Sequence, residues 1–210
     1  MITWNPNDRY VCTPEVVVLS NNNLTVDGSS DLFVPGTAWY NGNQLVHYNV
    51  GLRATQGFNS GKLYYELYKK NDSQFLPYVS NNKGLYYVAG FAKKEASLVL
   101  PGRIDSTWGN WATMYNFPGK EGNKIPYEEE YTLMFALDLS DSKNRKFYWG
   151  VNGQWVNIYH GDTRITVPDG ELYPYIVFGY PIKFETNFGD SGKPFKYKNP
   201  FVNEFNTYII

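Results

Sequence analysis

The sequence predicts an all-β fold, a two-sheet antiparallel β-sandwich, and three observations carry the prediction. Short runs rich in Val, Tyr, Phe and Thr recur between Gly, Pro, Asn and Asp clusters along the 210 residues, the pattern of sandwich strands and their turns. No segment of useful length places apolar residues at helical period, and no solenoid repeat or low-complexity tract occurs. Ile182, Phe184, Thr186 and Phe188 alternate with Lys183, Glu185 and Asn187, the period of two that turns one strand face inward and one outward.

In chain order, Thr3 to Thr13 holds Pro6 and runs up to Pro14, and it reads as an irregular lead-in with Trp4 tucked into a groove of the core. Glu15 to Leu19 is a short β-branched strand, Ser20 to Asn23 a turn, and Leu24 to Asp27 pairs back. Ser29 to Asn49, with Pro35, Gly36 and Gly42, reads as loop. Val50 to Thr55 is a strand, Gly57 to Gly61 a turn, and Gly61 to Leu67 a strong strand. Leu63, Tyr65 and Leu67 are its expected inward set and Tyr64 and Glu66 the outward one, although aromatics on both faces leave that assignment open. Lys69 to Lys83 is polar loop, Leu85 to Ala92 a buried strand, Lys93 to Asn110 a long connection, Trp111 to Tyr115 a short strand, and Phe117 to Tyr127 another loop.

Thr132 to Leu139 is nearly continuously apolar, which suits a strand buried on both faces. A polar turn, Ser140 to Arg145, leads into the strand Lys146 to Val151, and Asn152-Gly153 suits a type I′ hairpin because both residues tolerate positive φ. Gln154 to Tyr159 is a short strand, His160 to Gly170 a loop, and Gly189 breaks the last strand. The expected organisation is one domain over residues 1–197, with the tail 198–210 packing on it or on a neighbouring chain.

Hydrophobic residues make up 42% of the chain and charged residues 19%, enough apolar material for a sizeable core. The net charge of −1 comes with no basic stripe, so a nucleic-acid partner is not expected. The single cysteine, Cys12, cannot close an internal disulfide, which excludes a disulfide-stapled secreted scaffold. The first residues lack a signal-peptide pattern and no apolar run is long enough to span a bilayer. A soluble protein made in a cytoplasm, without membrane insertion, is expected.

Four motifs in a fixed order resemble the C-terminal signature of SPRY domains: Phe147 to Gly153 (FYWGVNG), Leu172-Tyr173-Pro174, Asn187-Phe188-Gly189, and Pro194-Phe195. Gly61 to Glu66 (GKLYYE) resembles the family's Gly-Lys-x-Tyr-x-Glu segment, Arg53-Ala54-Thr55 precedes it at the spacing of phage-type members, and Val88 to Ala92 resembles its Val-Gly-Val-Ala strand. The opening WNPND and the later LSNNNLTV are similar to the start of SPRY proteins encoded by tailed bacteriophages and prophages. Glu128-Glu129-Glu130 stands where the family usually has Gly-Asp. The resemblance covers Trp4 to Tyr197 and implies a concanavalin-like jelly roll of the SPRY type, recognising its ligand through loops at one end.

No catalytic constellation is legible. His47 and His160 fall in predicted loops, and there is no HExxH, CxxC, GxSxG, Walker or dinucleotide loop. A glycoside hydrolase needs two carboxylates about one cleft, yet Glu66, Asp138 and Glu185 are each the only acid of their strands. Asp162, Asp169 and Glu171 lack calcium-loop spacing. No catalytic residue, metal or cofactor is therefore expected. Loop residues of the types that dominate interfaces are the candidate ligand anchors: Trp39, Tyr40, Arg103, Trp108, Asn110, Trp111 and Tyr115. Trp149 and Trp155 bracket the Asn-Gly turn and are expected to pack. The expected role is a non-enzymatic binding or structural protein of a bacteriophage virion, a capsid or tail decoration or adaptor assembled in the host cytoplasm. Its partners would be other virion proteins or a host surface ligand, protein or glycan, and its oligomerisation would run through the tail. The alternatives are a carbohydrate-binding module using Trp39, Tyr40 and Trp108 as a stacking platform and, behind it, a glycoside hydrolase using Asp138 or Glu66.

Overall fold

The computed structural model describes residues 1–11, 18–28, 39–41, 44–46, 50–70, 87–96, 98, 111–114, 130–155, 167, 169–178 and 183–197. Fourteen strands are defined among them: β1 Trp4–Val11, β2 Val18–Ser20, β3 Thr25–Asp27, β4 Trp39–Asn41, β5 Gln44–Val46, β6 Val50–Ala54, β7 Lys62–Lys69, β8 Tyr87–Ala92, β9 Trp111–Met114, β10 Tyr131–Asp138, β11 Lys146–Val151, β12 Gln154–Trp155, β13 Tyr173–Phe178 and β14 Lys183–Asn187. A five-stranded sheet runs β1-β6-β13-β8-β9, a seven-stranded sheet runs β12-β11-β10-β7-β14-β3-β2, and β4-β5 form a separate hairpin. All pairings are antiparallel. The fold is the all-β, two-sheet antiparallel sandwich expected from the pattern.

The core lies between the sheets. Leu63, Tyr65 and Leu67 of β7, Leu133, Phe135 and Leu137 of β10, and Phe184 of β14 face Leu52 of β6, Ala89 and Phe91 of β8, and Ile176 of β13. The alternation of β7 is thereby resolved in favour of Leu63, Tyr65 and Leu67 as the inward set. Burying each such large apolar side chain contributes about 1.5–3 kcal/mol before entropy is set against it. Tyr65 ties the layers: its ring stacks 5.0 Å from Phe135, meets Phe91 edge-on at 5.3 Å, and its hydroxyl donates to the Gly90 carbonyl oxygen at 2.6 Å.

β10 is buried on both faces, as its continuous apolarity demands. Its inner face meets the core. Its outer residues Met134 and Ala136 join Tyr64 of β7 in a second apolar cluster, covered by Phe195 and Tyr197. The Asn152-Gly153 turn has φ of +49° and +85°, the left-handed pair of a type I′ hairpin.

Three expectations need correction. The lead-in through Pro6 is the edge strand β1, irregular only between Trp4 and Arg9, where the register with β6 shifts. An edge strand tolerates a proline because one row of its backbone groups has no ladder to complete. The segment Ser29 to Asn49 contains the hairpin β4-β5, with Trp39 opposite Val46. Lys69 ends β7 instead of opening a loop, and it is buried beside the Tyr131 ring, with Nζ 5.4 Å from the centroid. Glu15 to Val17 of the strand expected there, most of Gln154 to Tyr159, and the tail 198–210 lie outside the described residues.

Candidate functional site

The topology fixes where the candidate anchors attach. Val11, Val50, Phe178 and Tyr87 pair in one row at one end of the five-stranded sheet. Ala92 pairs with Tyr173 and with Trp111 at the other end. The connection carrying Arg103, Trp108 and Asn110 leaves β8 at Ala92 and returns at Trp111, so it is rooted at that second end. Trp39 and Tyr40 lie in β4, within the connection from Asp27 to Val50, which is rooted at the first end. The two groups of anchors are thus attached at opposite ends of the sandwich. Arg103, Trp108, Asn110 and Tyr115 lie outside the described residues, and of Trp39, Tyr40 and Trp111 only the backbone is described.

The root of the long connection is pinned by a charged cluster. Arg53, buried on β6, donates to Asp8 at 2.9 Å, to the Lys93 carbonyl oxygen at 3.2 Å, and to the Ala96 carbonyl oxygen. Lys94 donates to the other oxygen of Asp8 and lies 5.4 Å over the Tyr173 ring. A guanidinium that satisfies two carbonyls and one carboxylate fixes the backbone on both sides of it. Below it, Ala96 and Leu98 pack on Ala92 and Tyr175.

The acids weighed for hydrolysis have structural partners. Glu66 is buried; its Oε1 accepts from the Tyr64 hydroxyl and the Tyr197 amide, and its Oε2 from the Lys196 amide, each at 2.9 Å. Burial, and then the adjacent Glu66 charge, push the Tyr64 hydroxyl far above the ordinary tyrosine range. Asp138 pairs with Lys62 at 3.7 Å and accepts from the Ser140 amide at 3.0 Å. Glu185 pairs with Lys70 at 2.6 Å. Glu171 accepts from the Tyr173 hydroxyl at 2.6 Å. Among the described residues no group of three or more His, Cys, Asp or Glu could hold a metal ion. His47, His160 and Asp162 lie outside them.

The bonds to Glu66 hold down a feature that sequence reasoning missed. After β14 the chain turns at Gly189 and crosses the outer face of the seven-stranded sheet as a strap, residues 193–197. Asn187 Nδ2 donates to the carbonyl oxygens of Lys193 and Pro194 at 3.3 and 3.1 Å. The Phe195 ring meets Tyr64 edge-on at 4.5 Å. Lys196 Nζ lies 5.0 Å over the Tyr68 ring. Between strap and sheet is a small pocket of about 90 Å³, lined by Glu66, Tyr68, Thr132, Glu185, Lys193 and Lys196, among others. The sequence signal was Glu66 itself: an acid between two strong strand residues is out of place unless something caps it.

No protein-family model matches the chain, and no curated protein sequence matches it. Solved structures do. The chain is similar to the SPRY domain of human HERC1, with 15% identity over 91% of this chain and 99% of that one and a TM-score of 0.50. It also aligns with the TRIM65 PSpry domain at 14% identity, over 89% of this chain and 91% of that one, with a TM-score of 0.46. Identity at this level speaks to the fold, which is that of a SPRY-type sandwich. Among the described residues no helix is long and apolar enough to cross a membrane.

Proposed function

We propose that this protein is a non-enzymatic binding or structural protein that uses a SPRY-type sandwich to hold recognition loops, and that it serves in a bacteriophage virion as a capsid or tail decoration or adaptor. One observation carries the choice of binding over catalysis. Each acid of the described strands has a partner within the fold: Asp8 with Arg53 and Lys94, Asp27 with Lys183, Glu66 with the strap, Asp138 with Lys62, Glu185 with Lys70. A general acid or nucleophile must instead face the substrate. The pinned root of the 93–110 connection supports recognition, because a rigid base lowers the ordering cost of a binding loop. Arg103, Trp108, Asn110 and Trp111 are its anchors in this reading, with a protein surface as the ligand.

The virion role rests on the resemblance of WNPND and LSNNNLTV to phage-encoded proteins. Mass spectrometry of purified particles from the source, with copy number per particle, tests it. A fixed stoichiometry supports a structural or display role, and absence from particles removes it. Trp108→Ala and Arg103→Ala should then weaken attachment to the particle by about tenfold or more each, as anchors do. Turnover on an oligosaccharide panel would overturn the non-enzymatic reading.

A further inference from the structure

We infer that recognition takes place over the outer face of the five-stranded sheet, not at an end of the sandwich, and that Gly51 and Arg53 are the positioning residues that lay the 93–110 connection there. This rests on the binding role proposed for that connection and adds where it works. β8 and β9 are antiparallel neighbours, and a hairpin between such strands needs only about two to five residues. The connection instead leaves β8 at Ala92 and heads away from β9. The Ala96 amide donates to the Lys93 carbonyl oxygen at 3.2 Å, which turns the chain. Ala96 and Leu98 pack on Ala92 of β8 and Tyr175 of β13. The Ala96 carbonyl oxygen accepts from Arg53 of β6, and Leu98 lies against Gly51 of the same strand. Arg53 pairs with Tyr175, and Gly51 stands next to the Val50 row at the far end of the sheet. Trp111 of β9 lies three strand spacings from β6, or about 14 Å. Leu98 and Trp111 thus stand on opposite sides of this face.

Gly51 shows that the crossing is built in. Its φ is one that any residue adopts, so conformational freedom does not explain a glycine there. A β-carbon at this position would run into the Leu98 carbonyl oxygen and lie 2.7 Å from the carbonyl carbon. A glycine inside a strand weakens it and marks the close approach of another backbone. Arg53 adds the second hold, since its buried guanidinium reaches the carbonyl oxygens of Lys93 and Ala96 as well as Asp8. The described part of this cover also indicates the kind of partner. Ala96 and Leu98 are half-buried and apolar, and Lys94 and Glu95 beside them are exposed and opposite in charge. An apolar centre with a rim of both signs fits a protein surface; a nucleic acid would call for one sign.

The test is photo-cross-linking of the full chain in a lysate of the source, with p-benzoylphenylalanine placed at Glu95 on this face. Control positions are Ser60 and Lys143, both exposed, in the turns after β6 and β10 that the Leu139 amide and Gly61 carbonyl oxygen join at one end of the sandwich. The expected result is one dominant protein adduct from Glu95, identified by mass spectrometry, and little from either control. Gly51→Ala should cut that adduct about tenfold and speed hydrogen exchange at the Ala96 and Leu98 amides. If G51A does not fold, Leu98→Ser takes its place with the same expected losses. Adducts from Ser60 or Lys143 without one from Glu95 would overturn the inference and leave the binding reading standing. No adduct from any position would remove that reading, and this inference with it. An adduct undiminished in a variant whose amides exchange faster would show that the crossing is only packing. Unchanged exchange in G51A would show that Gly51 positions nothing.

Discussion

Glu66 shows how one residue can govern a surface. It is a buried carboxylate whose three donors come from its own strand neighbour Tyr64 and from two consecutive strap amides. Charge-assisted bonds of this kind are worth more than neutral ones, and their loss leaves donors unpaired. Glu66→Ala should cost about 2–4 kcal/mol, read as a lower urea midpoint. It should also speed proteolysis within residues 193–197. Unchanged cleavage there would mean that Phe195 and Tyr197 hold the strap unaided.

Two tyrosines make a pH prediction at the same scale. Tyr68 donates to Glu130 and Tyr173 to Glu171, and these bonds, with some burial, push each hydroxyl up to about 12 from its ordinary 10. Above pH 10 the unfolded chain releases these protons while the folded chain keeps them. Their contribution is therefore complete below pH 10 and is lost as pH rises through about 12. Both hydrogen bonds lie at the surface, so screening keeps the effect small. Glu171→Gln should move one tyrosinate absorbance step to lower pH, and an unmoved titration would show that the bond does not persist in solution.

At the scale of elements, the sequence was legible wherever one physical rule dominated. Continuous apolarity marked β10, alternation marked β14, and Asn152-Gly153 marked the turn between β11 and β12. It was obscure where two rules conflicted. Pro6 argues against a strand, but β1 is an edge and shifts register around it. Pro174 argues against β13, yet it lies beyond the register with β6 and pairs only toward Phe91. The buried Lys69 reads as solvated until Tyr131 is known to lie against it. Of the candidate site, the loop anchors were read from residue type alone, whereas the strap was not readable, because nothing local pairs Glu66 with amides 130 residues away. Gly153→Ala tests an element and its cover together. Its φ of +85° disfavours any β-carbon, and that atom would come within 2.9 Å of the Tyr197 ring. The backbone alone should cost about 1 kcal/mol, and displacement of Tyr197 should add to it. Additive costs of Gly153→Ala and Tyr197→Ala in their double variant would remove the coupling.

At the scale of the molecule, the two sheets are closed by the residues nearest the chain's start and by the end of β14. Trp4 belongs to the five-stranded sheet, but its Nε1 donates to Thr186 of the seven-stranded one at 2.7 Å, and its ring meets Phe188 edge-on at 5.4 Å. The Ile2 amide donates to Asp190, and the Trp4 amide to the Asn23 carbonyl oxygen at 3.0 Å. Tyr65 supplies the second bridge, through Gly90. These bonds join segments far apart in sequence, so their loop-closure cost must be met before any of them forms. The sandwich should therefore unfold as one unit, since neither sheet keeps a buried face without the other. Trp4→Ala should cost about 3–5 kcal/mol, and Tyr65→Phe about 1–3 kcal/mol through the orphaned Gly90 carbonyl. Both should shift a single denaturation midpoint at constant slope. A second transition in W4A, with the far-ultraviolet signal of one sheet retained, would show that the layers are separable and that Trp4 is a clasp between two units rather than part of one core.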